Sequence, residues 1–295
     1  MKKICLILLS VLFLGQFKLC YGLDWRRIHE EADKKGLADA WYKLEKGLSS
    51  PEEAYLVGLL FLNQRKDQEA QKIFQDMLKK NPRSAEAKWG LAETLRRQNK
   101  LDESQKLLEA VIQSAPAFSP ADISLAYIKY TKLDFKGTVE LASKVIGQGR
   151  DAVDLSNYTR GYLLFAGGKG MLASTGGIFA KIGEGTQVFP NLKKAEELQP
   201  DSPAVLFGLG SFYFLAPGVA GGNIDKAKDY LERAVSSDSF FADAYVRLAQ
   251  VYRAKGDNQK FEEYLKKALE IDPQNALARD ARSKSCKFIC VTVKQ

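Results

Sequence analysis

The chain has 295 residues, 45% hydrophobic and 27% charged, which is the balance of a folded water-soluble protein and excludes a disordered polyelectrolyte. Setting aside the three lysines of residues 1–22 leaves 41 basic against 36 acidic residues, so the formal +8 becomes +5. So small and so mixed an excess gives no case for nucleic acid as a partner.

Residues 1–22 read as a signal peptide. Lys2 and Lys3 form a positive end, and Ile4 to Phe17 is a mostly apolar run, short for a membrane span. Gly22 suits a cut before Leu23. An uncleaved or lipidated anchor is the alternative, and membrane contact is expected only in that case. Export, to a bacterial periplasm, is the expected location. Residues 23–50 form an N-terminal lead-in helix in which Trp25, Ile28, Ala32, Leu37, Ala40, Trp41 and Leu44 recur at helical spacing, with a break near Gly36. Ser50-Pro51-Glu52-Glu53 is then a helix start, with a serine cap, a first-turn proline and acids at the positive dipole end.

Residues 51–152 divide into three hairpins over 51–84, 85–118 and 119–152. Pro82 and Pro116 stand 34 residues apart, and each closes a segment with small residues (Gly58, Ala70, Ala92) and large ones (Phe61, Phe74, Leu95, Leu108) at matching places. A fixed period of this length means stacked helix–turn–helix units. The third is degenerate, with Thr138 where alanine is expected. Residues 153–202 form a further hairpin carrying a glycine-rich insertion, 166–187. Residues 203–275 hold two more hairpins, the first lengthened by a loop at 216–223, and 276–295 form a capping helix and tail. Insertions in such arrays emerge on one face. The predicted fold is an all-α solenoid of five or six hairpins with two Gly-rich insertions.

The last hairpin carries the family signature. Tyr245, Leu248, Ala249, Tyr252, Leu265, Ala268 and Pro273 fall where the tetratricopeptide repeat (TPR) consensus places aromatic, large, small and proline residues, while Phe261 stands where that consensus has alanine. The chain resembles TPR proteins over roughly four fifths of its mature length. More narrowly, Phe212, Tyr213, Pro217, Gly221, Gly222, Lys226 and Ala227 resemble the T-component of tripartite periplasmic (TRAP) transporters, with Asn223 where that family has aspartate. This resemblance implies an exported repeat protein working beside a periplasmic solute-binding protein.

Carried over from the repeat family, the concave wall is Tyr55, Trp89, Tyr127, Tyr130, Phe207 and Phe214, with Tyr158, Tyr162 and Phe165 as equivalents in the fourth hairpin. Such a stripe suits a partner protein or an apolar small ligand. Any single ring could instead pack between helices; the stripe as a whole is expected to leave a groove. Met171, Ile178 and Phe179 are read either as a lid or as a short helix packed on the solenoid, with Pro217, Gly221, Gly222 and Asn223 forming the second insertion.

Gly167-Gly168-Lys169-Gly170 fails as a phosphate loop, because Gly170 follows the lysine where a hydroxyl residue belongs. Asn157-Tyr158-Thr159 is a glycosylation sequon discounted for its helical setting. Cys286 and Cys290 could pair in an oxidising compartment but make an incomplete metal set. The single histidine, His29, leaves no Ser-His or Cys-His pairing. No enzyme activity, cofactor or metal is expected. The reading is a binding or adaptor protein, with a scaffold for a cell-envelope complex as the alternative.

Overall fold

The computed structural model describes residues 23–283 together with Phe288. The leader assigned to 1–22 and the cysteines Cys286 and Cys290 lie outside the described residues. Within them the fold is all-α. The lead-in is two helices, α1 (Trp25–Ala32) and α2 (Leu37–Lys46). Three regular hairpins follow: α3 (Pro51–Asn63) with α4 (Asp67–Lys80), α5 (Ala85–Arg97) with α6 (Leu101–Ser114), and α7 (Ser119–Thr131) with α8 (Phe135–Gln148). The fourth pairs α9 (Leu155–Thr175) with α11 (Val188–Leu198), and α10 (Ile178–Gly183) lies between them. Then come α12 (Pro203–Leu215) with α13 (Ile224–Ser237), α14 (Ala242–Ala254) with α15 (Asn258–Ile271), and the cap α16 (Ala276–Ser283).

Local chemistry sets each boundary. The Ser50 and Ser84 side chains accept from Glu53 N and Ala87 N at the starts of α3 and α5. Between the helices of each regular hairpin one residue takes a left-handed backbone: Arg65 (φ 57°), Asn99 (φ 58°), Leu133 (φ 66°) and, in the sixth hairpin, Gly256 (φ 86°). The first three stand 34 residues apart.

Packing between hairpins uses a wedge against small residues. Phe74 of α4 is fully buried, and a Cβ on Gly58 of α3 would come within 2.5 Å of its ring. Gly90 of α5 meets the same ring more closely still. Gly210 plays this part for Leu231, at 2.6 Å. Where alanine is expected, Ser104 and Thr138 turn their hydroxyls to the carbonyls of Ala92 (2.8 Å) and Ala126 (3.3 Å), so the buried polar atoms are satisfied. Phe261, the other departure, is buried under the Arg253 guanidinium, 4.3 Å from its ring.

The coil is tight enough to meet itself. Arg65 reaches Asp238 (3.5 Å), Asn99 donates to Gln274 (2.6 Å), and the Tyr127 hydroxyl donates to Asp243 (3.5 Å). The turn edge of the first three hairpins therefore abuts the fifth and sixth.

Candidate functional site: the inner wall and the insertion edge

The inner wall is not an open trough. α1 lies across the first helices of the early hairpins. The His29 ring sits 5.6 Å from Tyr55 and 5.1 Å from Trp89, and Trp25 meets Phe118 edge-on at 5.2 Å. His29 Nε2 and the Tyr55 hydroxyl share a 2.7 Å hydrogen bond, while Trp89 Nε1 donates to Pro120 O and Ser124 Oγ. Tyr55 is fully buried and Trp89 nearly so, which corrects their assignment as groove residues: the chain's own helix covers them. Burial pushes the Tyr55 phenol well up and the His29 imidazole down.

Phe214 is a second correction. It is buried against Leu248 and Val251, with the Arg247 guanidinium 6.0 Å from its ring. Phe207 packs on Phe241 (5.1 Å), Tyr130 sits between Phe135 (5.4 Å) and Phe288 (6.2 Å), and Phe165 lies under the Lys169 ammonium (5.3 Å). Tyr158 and Tyr162 meet edge-on with their hydroxyls 3.2 Å apart; burial and that neighbour push Tyr162 up to about 12. These five are half-buried packing residues. Tyr127 alone of the nine is exposed, at 37%, and it carries Arg96 4.7 Å over its face.

Around Tyr127 the interior is polar and charge-matched. Burial raises the Glu93 carboxyl, but the Arg96 charge and its hydrogen bonds (2.9 and 3.1 Å) outweigh that and hold it down at about 2. Asp243 nearby is raised by burial. No group of three His, Cys, Asp or Glu residues is placed to hold a metal among the described residues. Asn157 of the sequon is buried and bonded to Asp154 (2.7 Å). Two surface hollows occur elsewhere, one lined by Asp201, Asp229, Glu232 and Arg233, the other by Tyr245, Glu263, Tyr264 and Lys267.

The insertions also differ from expectation. Residues 166–175 are helix: α9 runs unbroken through Gly167, Gly168 and Gly170. A Cβ on Gly168 would stand 2.7 Å from Val139 and 3.2 Å from the Phe135 carbonyl, so glycine there lets α8 and α9 touch. Met171, on the same helix, is buried rather than part of an exposed lid. Past Gly176 the chain makes α10, whose Ile178 (65%), Phe179 (87%) and Ile182 (60%) face solvent.

In the second loop Val219 is fully exposed, and Pro217 and Gly221 are exposed as well. Gly221 is left-handed (φ 95°), and a Cβ on Gly222 would strike the Ala216 carbonyl. Asn223 caps α13, accepting from Asp225 N (3.1 Å) and Lys226 N (2.9 Å). The Gly-Gly-Asn run thus has a complete local reason, a tight turn into a helix cap. Phe189 of α11 stacks on Phe212 of α12 at 5.0 Å, and Phe212 lies 3.8 Å from the Cβ position of Gly221, so the start of α11 and the second loop share the Phe212 ring.

Sequence reasoning missed α1 as the groove's occupant. The available signal was a lone histidine between Trp25 and Ala32 on the apolar stripe of a short helix.

Family models described as tetratricopeptide repeat match residues 64–123 and 242–275. No curated protein sequence matches. Among solved structures, a monomeric IFIT1 mutant with Gppp-AAAA is 18% identical with a TM-score of 0.56, covering 88% of this chain and 59% of that one. The human IFIT1 dimer with PPP-AAAA is 21% identical (TM-score 0.53), covering 75% and 50%. YrrB, described as a TPR protein with an unusual peptide-binding site, is 19% identical (TM-score 0.36), covering 71% and 97%. At these identities the likeness is one of fold. Hairpins of constant period, the glycine–aromatic wedges between them and two family matches in separate parts of the coil make this chain a tetratricopeptide-repeat protein.

Proposed function

We propose that this chain is an exported, non-enzymatic adaptor that holds a partner protein at the edge where α10 and the 216–223 loop emerge. One observation carries the reading: the inner wall is filled by the chain itself, while Ile178, Phe179, Ile182 and Val219 stand in water. Three exposed apolar residues on one six-residue helix, with a fourth on the 216–223 loop, are the kind of surface that marks interaction sites, and repeat solenoids are binding scaffolds. The covering of Tyr55, Trp89 and Phe214 weighs against an apolar small ligand in the groove. The single histidine is seated among aromatic rings and bonded to Tyr55, which takes it out of use as a general base. The leader-like residues 1–22 support export, and no described helix is long and apolar enough to cross a membrane. The resemblance of the 212–227 stretch to TRAP T-components makes a periplasmic solute-binding protein the partner to try first.

Position-specific photocrosslinking in native cells tests this. A crosslinker at Phe179 or Val219 is expected to capture one protein, and one at the α3 residue Glu52 is expected not to. Capture of the same species from every position, or of none from Phe179 and Val219, would count against the reading. A structural scaffold is favoured instead if Phe179→Ser leaves the native complex intact.

A further inference from the structure

The helix α1 belongs to no repeat. It is eight residues long, joined to α2 through Asp33-Lys34-Lys35-Gly36, and it spans the inner wall from α3 to the α8–α9 corner. Ile28 and Ala32 are buried beneath it, and Trp25 and His29 fill the slot between Tyr55, Trp89 and Phe118. Besides the His29–Tyr55 bond and an Asn63 Nδ2 donor to the Ala32 carbonyl (3.4 Å), its polar ties reach one corner: Glu30 to Arg150 (2.8 Å), Ser156 donating to Asp33 (2.6 Å), and Arg26 donating to the Asp151 carbonyl. Glu30 and Arg150 are each over a third exposed, and such pairs contribute little to stability. The seat of Ile28, Trp25 and His29 therefore supplies most of the hold on α1.

We propose that α1 is a tethered occupant of the inner wall that undocks when His29 takes up a proton, baring Tyr55 and Trp89. The seat has room for a neutral imidazole bonded to the Tyr55 hydroxyl. An imidazolium there must give up its hydration inside an aromatic slot. The charged and titratable groups around the ring come from each neighbouring element: Asp33 at the end of α1, Tyr55 on α3 with Glu86 and Glu93 of α5 behind it, and Asp154 and Arg160 at the start of α9. Asp154 and Asp33 favour the cation and Arg160 opposes it, and burial outweighs them, leaving the imidazole below its ordinary 6.5. Asp154 is already engaged, its two oxygens accepting from Asn157 N (3.0 Å) and Nδ2 (2.7 Å).

The direction of the switch follows. Free α1 carries a histidine that protonates near 6.5, whereas docked α1 resists protonation. Docking is therefore at full strength above 6.5 and weakens as pH falls through the lowered value, by about tenfold for each unit between the two. The 33–36 connection is where α1 can part from the repeats: Ile28 and Ala32 share the buried core of the first three hairpins, so undocking bares the wall side of that core, while α14 and α15 keep a core without α1 residues.

The chain has one histidine, so a single set of imidazole ring signals reports on it by NMR. In the untagged protein that signal is expected to titrate below 6.5, and amide protection of residues 25–32 is expected to fall through the same midpoint while α14 and α15 stay protected. His29→Gln, which keeps a hydrogen-bonding side chain and cannot charge, is expected to hold α1 protection from about pH 7.5 to about pH 5. A titration at or above 6.5, protection that stays level to about pH 5, loss along all helices together, or equal loss in His29→Gln would each overturn the proposal. Should His29→Gln fail to fold, the parent's ring titration and its pattern of protection decide by themselves.

Discussion

Residues 51–118 and residues 153–241 are built from the same helical hairpin, yet they spend glycine and aromatic side chains differently. In the first stretch, Gly58 and Gly90 flank one fully buried ring, Phe74, and the helices keep the lengths the period demands. In the second, Gly168 serves a helix–helix contact inside an overlong α9, and the extra chain beyond it puts Ile178, Phe179 and Ile182 into water. Glycine at close approach preserves the solenoid in both; only the second stretch gives apolar side chains no place within it. The difference separates stability from recognition, and substitutions can test that separation.

The largest effect is expected at Phe74. Phe74→Ala empties the space between two glycines that cannot fill it, and should cost about 3–5 kcal/mol in denaturant unfolding. A loss below about 1 kcal/mol would mean the wedge is not what joins α3 to α5. Glu93→Gln comes next, at about 3 kcal/mol, because Arg96 is left charged and largely out of water. Its pH signature has a definite sign. The Glu93 carboxyl is held at about 2 against an ordinary 4.5, so its contribution is complete above 4.5 and is lost as pH falls through 2. Urea midpoints measured across acid pH should show this loss in the parent and a flatter profile in Glu93→Gln.

Gly168→Ala should cost about 1–3 kcal/mol, because the new methyl group meets backbone at Phe135 as well as the Val139 side chain. Gly177→Ala, with open space around it, is the matched control and should be near neutral by thermal melting. Leu133→Asn, at a left-handed turn position where Leu is strained, should stabilise by about 0.5 kcal/mol. Phe179→Ser should leave stability within about 0.5 kcal/mol while abolishing capture from Val219. If it instead lowers the melting temperature markedly, α10 is a packing element and the two regions are alike.

Much of the architecture was legible because solenoid packing is local. Each hairpin touches its neighbours in sequence, so Gly58, Ala70 and Phe74 announce their contacts by spacing alone. The candidate site was not legible in this way. Tyr55 and Trp89 occupy wall positions by register, and register says nothing of what lies on the wall. Gly168 looked like a loop residue because glycine weakens a helix, yet tertiary contact with α8 outweighs that preference. Phe179 is 87% exposed on α10, and its direction, outward rather than across a pocket, depends on where an overlong helix ends.

By itself the sequence determined the repeat and the all-α hairpin fold, because caps, turns and small–large spacing act over a few residues. Only the tertiary structure decided that the coil closes on itself through Arg65, Asn99 and Tyr127, and that α1 fills its inner wall. Those contacts join residues far apart in the chain. Their existence depends on the accumulated curvature of several hairpins, a sum of small rotations that no single motif encodes.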